Sequence, residues 1–489
     1  MNDPSNTAYN ASTSDFPEVR GGLSVVAFFL GMAFIVASIF LGRTYAFYIS
    51  GLVFSFFITL VWNKSPLPWI FLVSIVAATP IPFFRQRVAA NLIFAVWFIF
   101  FNMRYLGKLP KWIYLPVGLS IIGFLASSIN WLSADIIGST LRQGAYFFNF
   151  GLAPSILLPM IYFRMEKSRD TAANLQGLLF CLIVPTTLIL FATKLLGTQA
   201  NVWEASLHAE SLSEGYILYQ LGKVLVSFKR TEVGFILAAL ICASTAITVS
   251  QVKGMYRLFA GACLVTNVFL LLATGSFGSL FACLCGLAAI FYAQFRTINV
   301  TRVLAAVTII ASLLILTYTL SPPSMKDYLG KRYEYRVVEG DTDRFVLWAR
   351  AIDHLLKHPE GVGFTVRVGD EVKSNPHNDY IAYAVSYGVI GGLAYPILVT
   401  GLLIYFFKIR KRRTRDNSAL AITLAGQSVI VAFAINSMTD NICVSRWYFN
   451  VIWSIIWYSY FCSRAVPLEE RIASKINNGT SEAATLWSA

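Results

Sequence analysis

Long apolar runs constrain this chain more than any other feature of its sequence. A helix needs about 20 mostly apolar residues to cross the hydrocarbon core of a membrane, and about fourteen such runs follow one another here. They lie at 22–42, 45–62, 68–83, 88–103, 113–130, 146–163, 177–197, 232–250, 256–273, 277–295, 302–320, 380–407, 417–437 and 447–463. Only 13% of the 489 residues are charged, about half the share found in soluble domains. The predicted fold class is therefore all-α: a polytopic integral membrane protein with about 14 transmembrane helices, within a range of about 12 to 14.

Basic residues orient these predicted spans. A run of them separates the spans 380–407 and 417–437, and the positive-inside rule places such a short loop in the cytoplasm. The run consists of Lys408, Arg410, Lys411, Arg412, Arg413 and Arg415. Counting spans outward from it predicts that both termini are cytoplasmic. The domain prediction is a disordered cytoplasmic tail (1–20), a single transmembrane domain (21–466) and a second cytoplasmic tail (467–489).

Two long loops, 198–231 and 321–379, fall on the outer side in this topology and are themselves basic. Long loops partly escape the positive-inside rule, which is one explanation of their charge. The other is an anionic ligand at the outer face. The net charge of +14 is accounted for by these loops and by the cytoplasmic side, so no nucleic-acid partner is predicted.

Ionisable residues are nearly absent from the predicted spans. Lys194 is the clear exception, and it lies close enough to a helix end for its amine to reach the interface. Ion-coupled transporters usually keep carboxylates or bases near the membrane midplane. Their near absence here favours an enzyme over a transporter. The seven cysteines form neither a zinc-ligand pattern nor a disulfide framework, so they indicate no function.

The second long outer loop contains an amphipathic helix. Its apolar residues recur at helical spacing, which predicts one apolar stripe. The stripe comprises Phe345, Trp348, Ala349, Ile352, Leu355 and Leu356. Asp341 or Thr342 is the predicted N-cap. Arg344 projects beside Leu355 and is predicted to face inward, whereas Arg350 and His354 project to the opposite face.

The position of Arg344 in the first helical turn indicates a binding role. A cation there opposes the helix dipole unless an anion compensates it. A phosphate is one candidate, and a salt bridge to a nearby carboxylate is the structural alternative. Asp341-Thr342-Asp343 also has the form of a metal-binding DxD motif. Because these residues serve equally well as a cap and a first turn, no metal is predicted.

Two further motifs stand at the mouths of predicted spans. Pro376-His377-Asn378-Asp379-Tyr380 precedes the run 380–407 and places a titratable side chain between water and lipid, which suits an amphiphilic substrate. Asn378 or Asp379 is expected to cap the helix that follows. Arg230 opens the run 232–250, either as an interfacial anchor paired with Glu232 or as a binding residue.

The order of these motifs resembles that of the O-antigen ligase and O-antigen polymerase superfamily. The resemblance covers about 113–463 and is strongest over 341–392. Its motifs are Ile129-Asn130-Trp131-Leu132-Ser133-Ala134-Asp135, Arg230-Thr231-Glu232-Val233-Gly234-Phe235, Asp343-Arg344-Phe345-Val346-Leu347-Trp348, His358-Pro359-Glu360-Gly361-Val362-Gly363, and the His377 motif followed by Gly388, Gly391 and Gly392. One departure is Phe277, which stands where many members have an arginine.

The resemblance implies an enzyme that takes a glycan from undecaprenyl diphosphate and passes it to an acceptor sugar, with inversion and without a metal or other cofactor. Arg230 and Arg344 would clamp the diphosphate, and His377 would orient or deprotonate the acceptor hydroxyl. Asn378, Trp348 and Tyr380 are the predicted substrate-binding residues. Guanidinium groups suit the first role because they neutralise a diphosphate leaving group bidentately.

The resemblance also implies a location and partners. The site would lie at the periplasmic face of a bacterial inner membrane, among membrane lipids. The acceptor would be lipid A-core for a ligase, or a growing O-antigen or exopolysaccharide for a polymerase, and the motifs do not separate the two. The alternative function is an exporter or flippase of an anionic envelope lipid or polysaccharide, whose outer basic loops recruit the cargo.

Overall fold

The structure is a computed structural model of the full chain. It describes residues 106–107, 109–131, 158–164, 171–196, 216–221, 224–274, 276–294, 342–363, 376–410, 416–439 and 448–464, with isolated positions within 143–156 and 312–326. The two tails, the first four predicted spans and nearly all of the predicted span 302–320 lie outside the described residues.

Helices occupy the predicted spans that fall on described residues. They are α1 (Tyr114–Trp131), α2 (Leu158–Arg164), α3 (Thr171–Leu196), α4 (Arg230–Val249), α5 (Gly254–Thr274), α6 (Phe277–Gln294), α7 (Thr342–Lys357), α8 (Asp379–Gly392), α9 (Ala394–Arg410), α10 (Asn417–Thr439) and α11 (Tyr448–Arg464). A 3-10 turn at Lys111–Ile113 leads into α1. The helix α7 is the amphipathic helix predicted in the long loop, and Asn378 is the N-cap of α8.

A β-hairpin departs from the all-α prediction. Strands β1 (Tyr216–Leu221) and β2 (Val224–Lys229) pair antiparallel within the loop predicted at 198–231, with Tyr216 opposite Lys229 and Leu221 opposite Val224. Aromatic and β-branched residues such as Tyr216 and Val224 favour strands. The hairpin leads directly into Arg230, the first residue of α4.

Three of the described helical segments are long and apolar enough to cross a membrane. They are Lys111–Asn130, Gly254–Leu272 and Asn417–Thr439. The described part of the chain thus supports a helical membrane protein, and α8 with α9 would add a fourth crossing if the bent pair counts as one span. Shorter apolar helices pack around these, including Val233–Val249 and Phe277–Ala293.

The predicted single span 380–407 is bent by 81° between α8 and α9. Gly388 has φ 72° and ψ −179°, a backbone that breaks the helical geometry inside α8. Such a conformation is costly for any residue with a Cβ. Sequence periodicity missed the bend because an apolar run continues unchanged through it.

The helix α10 lies at the centre of the described bundle. It packs against α4, α6, α9 and α11, and most of its residues are buried. Phe433 on α10 meets Trp453 on α11 edge-on, with ring centroids 5.1 Å apart. This packing fixes the C-terminal end of α10, on which the candidate site is built.

Candidate active site around His377

His377 has an unusual backbone. Its φ is 47°, and it is the one described residue other than glycine with a positive φ. A left-handed conformation in a residue with a Cβ costs about 1–3 kcal/mol and persists only where surrounding contacts impose it. Such strained positions concentrate at functional sites. The backbone of His377 is therefore consistent with the prediction that this residue is functional.

Asn378 fixes the chain on one side of His377. Its side-chain oxygen accepts hydrogen bonds from the backbone amides of Tyr380 (3.0 Å) and Ile381 (3.2 Å), which caps α8. Its amide nitrogen donates to the carbonyl oxygen of Met438 at 3.3 Å. One side chain therefore joins the start of α8 to the end of α10.

Trp348 fixes the chain on the other side. Its indole N–H donates to the carbonyl oxygen of Pro376 at 2.6 Å. Pro376 and Asn378 are thus each held by a side-chain hydrogen bond, and His377 lies between them, partly exposed. A partly buried indole N–H usually has an acceptor, and this contact also anchors α7.

Arg344 lies next to this loop. Its guanidinium donates to the carbonyl oxygen of Thr439, which is adjacent in sequence to the Met438 carbonyl bound by Asn378. Two consecutive carbonyls at the end of α10 therefore bring Arg344 and the His377 loop to one place. These carbonyls form the negative end of the α10 dipole.

The hydrogen bond to Thr439 offsets the unfavourable interaction of Arg344 with the dipole of α7. A cation in the first turn of α7 opposes the dipole of α7, but the C-terminal end of α10 attracts it.

Tyr380 aligns α8 with α10 one turn further on. Its hydroxyl donates to the carbonyl oxygen of Ala434 at 3.3 Å. Its ring meets that of Tyr395 edge-on at 5.2 Å, and the Tyr395 and Ser437 hydroxyls lie 2.9 Å apart. The Tyr380 ring is only partly buried, so it borders the site while bracing it.

The apolar stripe predicted for α7 coincides only in part with the face that packs on the bundle. Phe345, Ile352 and Leu356 are exposed, whereas the buried face contains Ala351 and the half-buried Arg344. The predicted direction of Arg344 agrees with this face. Other members of the buried side are the half-buried Leu347, Trp348, His354 and Leu355, so His354 does not project fully away from the protein as predicted.

A turn after α7 joins it to α8 through backbone hydrogen bonds. Val362 N–H donates to the Val385 carbonyl (3.1 Å), Gly363 N–H donates to the Ser386 carbonyl (2.9 Å), and Val389 N–H donates to the Pro359 carbonyl (2.9 Å). The break at Gly388 removes the helical partners of the Val385 and Ser386 carbonyls and of the Val389 N–H. Backbone groups of the turn take the place of these partners.

Asn130 holds the same turn from α1. Its side-chain amide donates to Glu360 Oε1 at 2.7 Å and to the Gly361 carbonyl at 2.8 Å. The hydrogen bond from Asn130 is the main reason that the pKa of the Glu360 carboxyl is lowered. Asn130 is a positioning residue, since it acts on α7 and α8 through the turn.

His354 and His358 pair at the far end of α7, with ring centroids 4.9 Å apart. Burial lowers the pKa of His354, and the neighbouring His358 and Lys357 lower it further. His358 Nδ1 lies 3.6 Å from Glu360 Oε1. These histidines belong to the junction of α7 with the turn, whereas the candidate site is at the other end of the helix.

Arg230 begins α4, and its side chain lies outside the described residues. The first turns of α4 and α6 meet, because a Cβ on Gly234 would stand 2.7 Å from Ser279 Oγ. A Cβ on Gly278 would in turn stand 3.0 Å from Thr439 Oγ1. The backbone that bears Arg230 is therefore at the same end of the bundle as Arg344.

The structure does not test the DxD alternative, since Asp341 and the side chain of Asp343 lie outside the described residues. Across the described part of the chain, no three His, Cys, Asp or Glu side chains are grouped so that they could hold a metal.

The structure assembles Arg344, Trp348, His377, Asn378 and Tyr380 at one place. Sequence reasoning missed their acceptors, the carbonyls of Pro376, Met438 and Thr439, because a main-chain oxygen has no residue-type signal. It also assigned no role to Asn130, although the motif around that residue was recognised. The hydrogen bond from Asn130 to Glu360 joins residues 230 positions apart.

The fold is that of a helical membrane protein. In its candidate site, a histidine in the loop before α8 and an arginine in the first turn of α7 lie near the C-terminal end of α10. Residues 262–395 match the family model described as O-antigen ligase. The match supports the resemblance to the O-antigen ligase and polymerase superfamily over this part of the chain. It contains Arg344 and His377, whereas Arg230 precedes it. No curated protein matches the chain.

Proposed function

We propose that this protein transfers a glycan from undecaprenyl diphosphate to an acceptor sugar, as an O-antigen ligase or as a polymerase of O-antigen or exopolysaccharide. The observation that supports this most directly is the left-handed backbone of His377, held between two anchored neighbours and beside Arg344. A strained, partly exposed histidine next to a guanidinium suits the transfer of a group from an anionic leaving group.

Arg344 would stabilise the diphosphate as it leaves. Negative charge develops on the leaving oxygen as the glycosidic bond breaks, and a preorganised cation stabilises that transition state. The hydrogen bond to Thr439 holds the guanidinium in place before substrate arrives, so little reorganisation is needed. Arg230 would contact the same diphosphate from the start of α4.

His377 would orient the acceptor hydroxyl and remove its proton. The attacking oxygen forms a bond to the anomeric carbon while the bond to the diphosphate oxygen breaks, and the hydroxyl proton passes to the imidazole. Attack opposite the leaving group inverts the anomeric configuration. Trp348 and Tyr380, which border the loop, would contact the sugars, and Asn378 would hold the loop that presents His377.

The partners follow from this chemistry. The donor is a lipid-linked glycan, and the acceptor is lipid A-core or a growing polysaccharide. The protein would lie in the bacterial inner membrane, surrounded by membrane lipids, with cytoplasmic termini and with its long loops and site at the periplasmic face. The reaction would need neither a metal nor another cofactor.

Comparison of two arginines on α7 tests the proposal. Arg344→Ala is expected to lower glycan transfer by at least ~10²-fold, as for removal of one preorganised charge-stabilising group. Arg350→Ala should remain near wild type, because Arg350 is exposed on another face of α7. Transfer is measured with purified protein, lipid-linked donor and acceptor.

Controls separate charge from architecture, since Arg344 also binds Thr439. Arg344→Gln keeps an N–H donor for that carbonyl but removes the charge, and it should fold yet remain inactive. Arg344→Lys should recover little, because an ammonium lacks the planar fork. His377→Ala should abolish transfer while donor binding persists. Wild-type transfer by a folded Arg344→Ala protein would overturn the proposal.

A further inference from the structure

The helix α7 has an apolar face that is turned away from the rest of the protein. Phe345, Ile352 and Leu356 are exposed to 68%, 47% and 75%, and Ala349 between them is also exposed. At about 100° per residue, these four side chains fall within roughly 60° of one another. They form a continuous stripe along the helix, hereafter the outer stripe.

The other two faces of α7 are accounted for. One packs on the bundle through the nearly fully buried Ala351 and the half-buried Arg344 and Trp348. Another is charged: Asp353 and Lys357 form an exposed ion pair at 2.7 Å, and Arg350 is exposed beside them. The outer stripe lies between the packed face and the charged face, as in a helix that lies at a membrane surface.

Both ends of α7 lie against apolar ends of the bundle. Arg344 at its start bonds to Thr439, next to the half-exposed Met438. The turn after its end receives a hydrogen bond from Asn130, next to Ile129, whose side chain is 75% exposed. Large exposed apolar side chains at the ends of spanning helices face lipid in a membrane protein.

The same turn also meets a second apolar surface. Val389 donates its backbone N–H to the Pro359 carbonyl, and the side chains of Val389 and Ile390 are about half-exposed. The outer stripe therefore continues an exposed apolar surface that runs along α1 and over the break in α8. This continuity favours the bilayer over a soluble protein as the occupant of the stripe.

We propose that α7 is an interfacial helix whose outer stripe of Phe345, Ala349, Ile352 and Leu356 inserts among the acyl chains of the adjacent leaflet. Arg350 and Lys357 would then face the headgroups and water. The inference rests on exposure and continuity, and it does not depend on the proposed glycan transfer. If both hold, Arg344 on the adjacent packed face would lie at the depth of lipid phosphates.

Neighbouring cysteines labelled with an environment-sensitive fluorophore test this placement. Leu356→Cys and Lys357→Cys are compared in the full-length protein, reconstituted in phosphatidylethanolamine and phosphatidylglycerol vesicles, in a background without other reactive cysteines. The label at 356 should be quenched by lipids spin-labelled on the acyl chain and protected from aqueous iodide. The label at 357 should show the reverse, since the two side chains point about 100° apart.

Three results would overturn the inference. Equal iodide quenching at both positions would mean that the stripe faces water. Protection of position 356 only after addition of lipid-linked donor would assign the stripe to the donor's polyprenyl chain. Disulfide-linked dimers of Leu356→Cys in the vesicles, with no lipid quenching, would assign it to a second copy of the chain. None of these outcomes measures transfer, so they are distinguishable from failure of the proposed reaction.

Discussion

At the scale of single residues, Asn378 has two functions at once. Its oxygen caps α8 and its nitrogen binds the end of α10, so the position of His377 depends on both ends of one amide. Sequence patterns predicted the cap, because capping involves only neighbouring residues. The second bond joins α8 to a carbonyl 60 residues away and had no local signal.

Substitution of Asn378 measures these two contributions. Asn378→Ala is expected to lower the free energy of unfolding by about 1 kcal/mol, the usual cost of losing an N-cap. Asn378→Asp should lose less stability, because aspartate caps about as well as asparagine. However, it cannot donate to Met438, so its transfer activity should fall more than its stability.

Thermal unfolding of the detergent-solubilised variants, together with their transfer rates, provides the measurement. Equal stability of Asn378→Ala and wild type would show that the cap observed in the structure contributes nothing. Full activity of Asn378→Asp would mean that the bond to Met438 does not position the His377 loop.

At the scale of secondary structure, the break in α8 and the turn after α7 depend on each other. Gly388 has a positive φ, and a Cβ there would stand 2.4 Å from the Pro359 carbonyl oxygen. Gly361 faces it, and a Cβ on Gly361 would stand 2.3 Å from Gly388 N. Two glycines thus permit the backbones to approach closely enough to exchange hydrogen bonds.

Gly388→Ala is expected to destabilise the protein by at least about 1–3 kcal/mol, the cost of a strained backbone, before the clash is considered. It should also reduce transfer, because the turn connects α7 to α8. Gly118→Ala is the matched control: Gly118 lies on α1, and a Cβ there would meet no atom within 4 Å. That variant should be as stable as wild type or more so, since alanine favours helix.

The measurement is the shift in thermal unfolding midpoint of each variant relative to wild type. If Gly388→Ala behaves like Gly118→Ala, the bend is not needed for the native packing.

At the scale of the whole molecule, the predicted topology places the His377 loop outside and the start of α10 in the cytoplasm. Cysteines at Asn375 and Asn417 test both positions. A membrane-impermeant maleimide should label Asn375→Cys, and not Asn417→Cys, in intact cells with a permeabilised outer membrane. Most native cysteines in the described residues are buried, so their background labelling should be low, and Cys443→Ser removes one further thiol. The reverse pattern would place the site in the cytoplasm and exclude an undecaprenyl-diphosphate donor at the periplasmic face.

The sequence by itself predicted the helical membrane class, the positions of most described helices and the residues proposed for the candidate site. Apolar run length, helical periodicity and capping act within a few residues, so they can be read along the chain. The family motifs that contain Arg344 and His377 are likewise short stretches of consecutive residues, so they too can be recognised along the chain.

Tertiary structure decided how these residues meet. The consecutive carbonyls of Met438 and Thr439 bind Asn378 and Arg344, and the break at Gly388 receives its missing partners from a distant turn. The side of α7 that packs on the bundle was also decided by packing, because an amphipathic period does not distinguish a face that meets protein from one that meets lipid. Main-chain acceptors are the same at every residue, so only the folded arrangement selects which of them a side chain reaches.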